Sequence, residues 1–152
     1  MRLTLHSDYA LRLLMVLALA PERPHTVEAI SRRYGISRHH MTKVAQTLVQ
    51  ENFVESARGR GGGLRLARPA EQIGLGDVVR GTEDSLTLVE CFDRKANTCV
   101  VAPACGLRGP LEKALAAFLA VLDGYTLADL VTAPAIGRDM RRLLDLNKEI
   151  AL

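Results

Sequence analysis

The sequence has no tryptophan, and only three tyrosines and three phenylalanines in 152 residues. A core must therefore be packed through Leu, Ala and Val, which suits helices laid against one another. No apolar run is long enough to cross a bilayer. Leu11–Ala20 is interrupted by Arg12, has the length of one buried helix, and lacks a cleavage-type flank. A cytoplasmic chain is the expectation, in a compartment where thiols stay reduced. With only three cysteines, all in one short stretch, metal ligands or redox groups are expected in place of a disulfide framework. Paired carboxylates, a Ser-His-Asp arrangement and a nucleotide-binding motif are all missing, so no enzyme is expected.

What is present suffices for a packed core, since 48% of the residues are hydrophobic. The net charge of +3 is unevenly placed. Residues 1–80 hold 12 Lys and Arg against 7 Asp and Glu, and residues 81–152 hold 8 against 10. A basic first half beside a near-neutral second half points to a polyanionic partner for the first.

Helical periodicity opens at Ser7-Asp8-Tyr9 and runs to Ala20, with Tyr9, Leu13, Val16 and Leu17 on one face. Ser7 is the expected cap, Asp8 lies in the first turn, and Pro21 and Pro24 end the helix. Thr26 caps a second helix to Tyr34. Gly35 supplies a left-handed turn, Ile36 a buried staple, and Ser37 caps a third helix reaching about Glu51. Met41, Val44, Ala45 and Leu48 form its apolar face. Phe53–Arg58 and Leu64–Arg68 then read as two strands around the tip Gly59-Arg-Gly-Gly-Gly63. Further on come a helix at Gly76–Arg80, a strand at Leu86–Glu90, an apolar helix at Leu111–Leu122, and helical segments at Tyr125–Val131 and Ile136–Glu149.

Helix, glycine turn, basic helix and basic hairpin, in that order, make a winged helix-turn-helix. In such a unit the start of the second helix of the pair reaches base edges in a major groove. Ser37, Arg38, His39, His40 and Lys43 occupy that position, and Arg58, Arg60 and Gly61 belong to the wing, with Arg60 fitted to a minor groove. The partner is double-stranded DNA. His39 and His40 are adjacent and point about 100° apart, so they are poorly placed to chelate one ion together.

Cys91, Cys99 and Cys105 fall within one segment rich in small residues. Structural zinc favours pairs of closely spaced cysteines and four good ligands. Wider gaps suit a loop wrapped around a larger group such as an iron–sulfur cluster. A zinc-stabilised regulator remains the alternative.

The opening Met1-Arg-Leu-Thr with Asp8-Tyr-Ala, the wing Arg58-Gly-Arg-Gly-Gly-Gly63-Leu and Gly76-Asp-Val-Val resemble the iron–sulfur-cluster-binding winged-helix transcription regulators. So do Leu88-Val-Glu-Cys91, Pro103-Ala-Cys105 and Tyr125-Thr-Leu-Ala-Asp-Leu130, and the likeness covers nearly the whole chain. A sister branch carries histidine three residues past its last cysteine, where Arg108 stands here; the nitric-oxide-sensing branch fits better.

The resemblance implies a mainly α chain with a small β wing. Residues 1–80 would form the DNA-binding domain, 81–109 a cluster-binding loop region and 110–152 a helical dimerisation region. It implies a homodimer whose long helix, matching Leu111–Leu122, packs on its twin. It also implies a repressor that nitric oxide releases from its operators by attacking an iron–sulfur cluster, 4Fe-4S or alternatively 2Fe-2S, held by the three cysteines. The fourth ligand implied is Asp8 of the partner subunit, with Glu90, Asp93 and His6 in reserve. Read from the residues alone, Asp8 is equally a helix-terminal charge paired with Arg12. The alternative function is a related regulator responding to iron, cluster status or thiol oxidation.

Overall fold

Thr4, not Ser7, begins the first helix in the computed structural model, which describes residues 2–57, 59, 61–93 and 95–146. Helix α1 spans Leu5–Leu19, and the Thr4 hydroxyl accepts the Ser7 backbone N–H at 3.2 Å. Thr4 is fixed from far along the chain, its N–H and hydroxyl both donating to Glu83 Oε1 at 2.8 and 3.0 Å. Ser7 is instead buried inside the helix, where its hydroxyl accepts that of Thr82 at 2.9 Å.

The expected helix-turn-helix follows. Helix α2 (Val27–Tyr34) is capped by Thr26, whose hydroxyl accepts the Ala29 N–H at 3.1 Å. Gly35 ends it at φ 63°, a conformation that a side chain would oppose. Helix α3 (Arg38–Gln50) is capped by Ser37, and Met41, Val44, Ala45 and Leu48 are buried as their spacing predicts. Ile36 is only partly buried, packed against that cluster.

Strands β1 (Val54–Ala57) and β2 (Gly63–Leu66) pair antiparallel, Val54 opposite Leu66 and Ala57 opposite Gly63. His25 bonds back to Leu64 through both backbone groups, at 3.0 and 2.8 Å, and so ties the hairpin to the helices. The buried His25 ring bonds the Ala20 carbonyl at 2.9 Å, and burial pushes its pKa below the ordinary histidine value.

Helix α4 (Leu75–Thr82) buries Val78 and Val79 and closes the core around α1. The strand expected at Leu86–Glu90 does not form; its end enters a 3-10 turn at Glu90–Phe92. Among the described residues the sheet consists of β1 and β2 only, and this segment pairs with neither.

Helix α5 (Arg108–Asp123) includes the expected apolar helix but buries none of its residues fully. Leu115, Phe118, Leu119 and Leu122 are half-buried, and Val121 is 62% exposed. Its carboxyl end is clamped to α4 by Arg80, whose two terminal nitrogens donate to the two Asp123 carboxylate oxygens at 2.6 Å each. Gly76 lies directly beneath, and a Cβ there would collide with the Asp123 carboxylate.

The helix expected at Tyr125–Val131 is reduced to a 3-10 turn at Ala128–Leu130. Tyr125 and Leu127 run beside Ile73–Leu75 as a short extended contact, with backbone bonds of 3.0 and 2.8 Å. Helix α6 spans Pro134–Leu143, and Asp145 at φ 51° turns the chain after it. The remainder of the expected helix, 147–149, lies outside the described residues. Leu144 and Leu146 rejoin the core cluster around α1.

Candidate DNA interface and cysteine loop

The caps and the apolar face of α3 decide which of its side chains meet solvent. With Met41, Val44 and Leu48 turned into the core, Ser37, Arg38, His39, His40 and Lys43 are all exposed. The structure thus brings these five candidates to one end of one helix. Gln46, also exposed, extends this row by one turn beyond Lys43. The His40 ring lies 6.1 Å from that of His39 and 6.5 Å from that of Tyr9 on α1. Gly61 stands in the wing turn at φ 76°. Arg58 and Arg60 lie outside the described residues.

Two contacts between α1 and α3 had no signal in the sequence. His6 Nε2 bonds the Thr47 hydroxyl at 3.0 Å, and Tyr9 faces His40 as above. Both join residues that flank Asp8 to the exposed helix.

Asp8 itself is paired as the helix-terminal reading expects. Arg12 donates to it through Nε at 3.0 Å and through Nη2 at 2.7 Å. The Arg12 guanidinium also lies 5.8 Å from the Tyr9 ring centroid and 5.7 Å from that of Tyr34. Its pKa is raised chiefly by the Asp8 hydrogen bond, while burial raises that of Tyr34.

The three cysteines lie between α4 and α5, in a segment held by isolated turns. Cys91 sits in the turn Glu90–Phe92, and Cys105 follows the turn Ala102–Ala104. The Cys99 N–H donates to the Asn97 side chain at 3.1 Å. All three thiols are free and half-buried. Arg108 bonds Glu112 at 2.7 Å, which raises its pKa. Among the described residues, no three His, Cys, Asp or Glu side chains are grouped closely enough to hold a metal ion. Asp8, Cys91, Cys99 and Cys105 are therefore not gathered within one chain. As a donor set the cysteines still suit iron–sulfur chemistry: three soft ligands, unpaired, half-exposed, and on a loop that few backbone bonds constrain.

Residues 3–133 match the model of the Rrf2 family, described as iron-dependent transcriptional regulators. The chain is 51% identical over 151 residues to the HTH-type transcriptional regulator NsrR of Bacillus subtilis, covering 97% of this chain and all of that one. It is 50% identical over 148 residues to the regulator of the same name from Shouchella clausii, covering 97% of both chains. Among solved structures, T. potens IscR superposes with a TM-score of 0.69 at 27% identity, over 87% of each chain. With the family model spanning most of the chain and such relatives matching it nearly end to end, the chain belongs to the Rrf2 family and is a DNA-binding transcriptional regulator, not an enzyme.

Proposed function

We propose that this regulator is a repressor that binds its operators as a homodimer and senses nitric oxide through an iron–sulfur cluster held by Cys91, Cys99 and Cys105. One observation carries the reading. All three cysteines of the chain are free, half-buried and confined to the loop that joins the DNA-binding unit to α5. When bound, a cluster of the 4Fe-4S type supplies iron sites open to attack by nitric oxide, and its loss releases the protein from DNA. The likeness to nitric-oxide-sensing regulators supports that signal.

The division of labour follows the chain: residues 1–80 meet DNA, 81–109 carry the cysteines, and 110–152 include all but the first two residues of α5. An apolar helix without a fully buried residue supports α5 as the surface that a second copy covers. Two recognition helices would then enter successive major grooves, about 34–36 Å apart. Ser37, Arg38, His39, His40 and Lys43 contact the operator, with Arg58, Arg60 and Gly61 in the wing. Asp8 of the partner subunit is the fourth ligand, and it must leave Arg12 to serve.

The deciding experiment is anaerobic purification with visible absorption, iron and sulfide analysis, and operator binding during nitric oxide titration. Bleaching and release by nitric oxide are expected. A colour bleached by peroxide but untouched by nitric oxide would transfer the signal to oxidation, and zinc in place of iron would refute the cluster.

Two substitutions probe the parts separately. Lys43→Ala is expected to leave colour and dimer intact, weaken operator binding, and lower its salt slope by about one. An unchanged salt series would remove Lys43 from the interface. Asp8→Ala breaks an ion pair whose side chains are 40% and 39% exposed, so its stability cost should stay below about 1 kcal/mol. As a ligand it matters more: the variant should keep a cluster on three cysteines, with altered spectra and a changed rate of reaction with nitric oxide. Identical spectra would leave Asp8 as a helix-terminal charge.

A further inference from the structure

The end of α6 meets the DNA-binding unit at a place that α3 does not occupy. A groove of about 430 Å³ lies between the start of α2 and the wing, with Arg23, Thr26, Arg32, Arg33, Gly61 and Gly62 among its walls. Arg32 is paired with Glu28 across one helical turn, at 2.9 Å. Arg23 and Arg33 are held differently. Arg33 Nε donates to the Leu144 carbonyl and Arg23 Nη2 to the Leu146 carbonyl, at 2.8 Å each.

The Leu144 carbonyl stands at the C-cap of α6, where a helix leaves acceptors without internal donors and carries partial negative charge, and the Leu146 carbonyl follows the turn at Asp145. A guanidinium has five N–H donors, so one bond to a carbonyl orients the side chain while leaving most of its donors for another acceptor. Among the described residues that line the groove the charges are Arg23, Arg32 and Arg33 against the carboxylate of Glu28, which is paired with Arg32. Burial lowers the Arg33 pKa, and Arg23 and Arg32 lower it further by like-charge repulsion that Asp145 partly opposes. An anion with several oxygens would relieve the crowding and fill the forks. One wall of the groove is the wing itself, so the anion within reach is the phosphate backbone of the duplex that the wing approaches.

We infer that this groove binds a backbone phosphate of DNA through Arg23 and Arg33, and that the carboxyl end of α6 and the turn after it position both. The inference rests on the DNA-binding reading above and adds to it a contact that carries no sequence information. It also makes the C-terminal helix part of the DNA-binding surface, although α6 lies more than fifty residues beyond the wing in the chain.

The test uses full-length, cluster-loaded protein with an operator duplex and a random duplex of equal length, from about 50 to 300 mM salt. Arg23→Ala and Arg33→Ala should each lower the slope of log affinity against log salt by about one, alike for both duplexes. The operator-to-random ratio should not change. Arg23→Lys and Arg33→Lys keep the charge and should recover most of the slope even if the alanine variants melt early. Leu144→Ala loosens the end of α6 without altering charge, and should weaken binding to both duplexes equally; unchanged affinity would overturn the positioning role.

Alanine variants with the parent's slope would overturn the phosphate site. So would thermal stabilisation of the parent by inorganic phosphate, lost in the double alanine variant while the slopes stay equal, since the groove would then take a free anion. A parent that binds no duplex would sink the DNA-binding reading as well. A parent that binds, with variants to match, would sink only this inference.

Discussion

Alanine in place of Cys91, Cys99 or Cys105 is expected to give a folded chain that leaves an anaerobic preparation colourless and no longer selects operator over random duplex. The size of the effect follows from the absence of spares, because the chain has no fourth thiol to recruit. The cysteines are half-buried, lie outside the buried cluster around α1, and sit in or beside short turns. Truncating them should cost little stability, within about 0.5 kcal/mol as for other surface positions. Loss of colour with an unchanged melting temperature therefore separates ligand loss from unfolding. Iron and sulfide per chain, measured for each variant beside its melting curve, decide the matter. Full loading in any one variant would strike that cysteine from the ligand set.

Leu48→Ala should act by the opposite route, lowering stability while leaving every polar group of the interface in place. Leu48 is fully buried on the core side of α3, which packs against α1 and α2. Truncation leaves a cavity and costs about 2–5 kcal/mol. That is a large share of the roughly 5–15 kcal/mol that holds a domain folded. At about 2–4 °C per kcal/mol for a chain of this size, the melting temperature should fall by roughly 4–20 °C. Operator binding should weaken even where the chain is still folded, because the exposed row on α3 is aimed by the packing behind it. Gln46→Ala, on the exposed side, is the control and should barely move the melting curve. A Leu48→Ala protein that melts with the parent would mean that α3 is seated otherwise than its burial indicates.

The helix-turn-helix and wing were legible in the sequence because their signals are local. Thr26 and Ser37 act on N–H groups three residues away, and Gly35 supplies its own left-handed turn. The errors arose where distant residues decide. Ser7 looks like a cap until Glu83, 79 positions away, fixes Thr4 instead. Leu86–Glu90 has the composition of a strand, but a strand exists only beside a partner. Thr126 and Asp129 bond each other as a helix start would, yet Leu127 is drawn against Ile73 and the helix stops after one turn.

The candidate site divides in the same way. Residue types and order on α3 identified its exposed row, since helical periodicity fixes which side is buried. The cysteines were identifiable as ligand candidates from their clustering, but their mutual geometry was not, because 91–105 lacks a regular element to set it. Arg23 and Arg33 gave no signal at all. Their acceptors are backbone carbonyls 123 and 111 residues away, and a backbone carbonyl leaves no trace in residue identity.

The helix at the centre of the core is made before the elements that cover it. Leu13, Leu14, Val16 and Leu17 of α1 are covered by residues of α3 and α4 and, last, by Leu144 and Leu146. At about 5–20 residues per second, roughly 4–16 s separate the synthesis of Thr4 from that of Glu83, which closes over it. Arg141, whose bond to the Leu19 carbonyl ties α6 to α1, comes later still. Until α3, α4 and the last two leucines have followed, part of this apolar helix lacks its cover, and neighbouring nascent chains on the same message carry identical stretches. Arg12, which breaks the run Leu11–Ala20, places a full charge in that stretch while it waits. The residue that holds Asp8 in the finished fold is thus also the one charge that interrupts this apolar run while its cover is still being made.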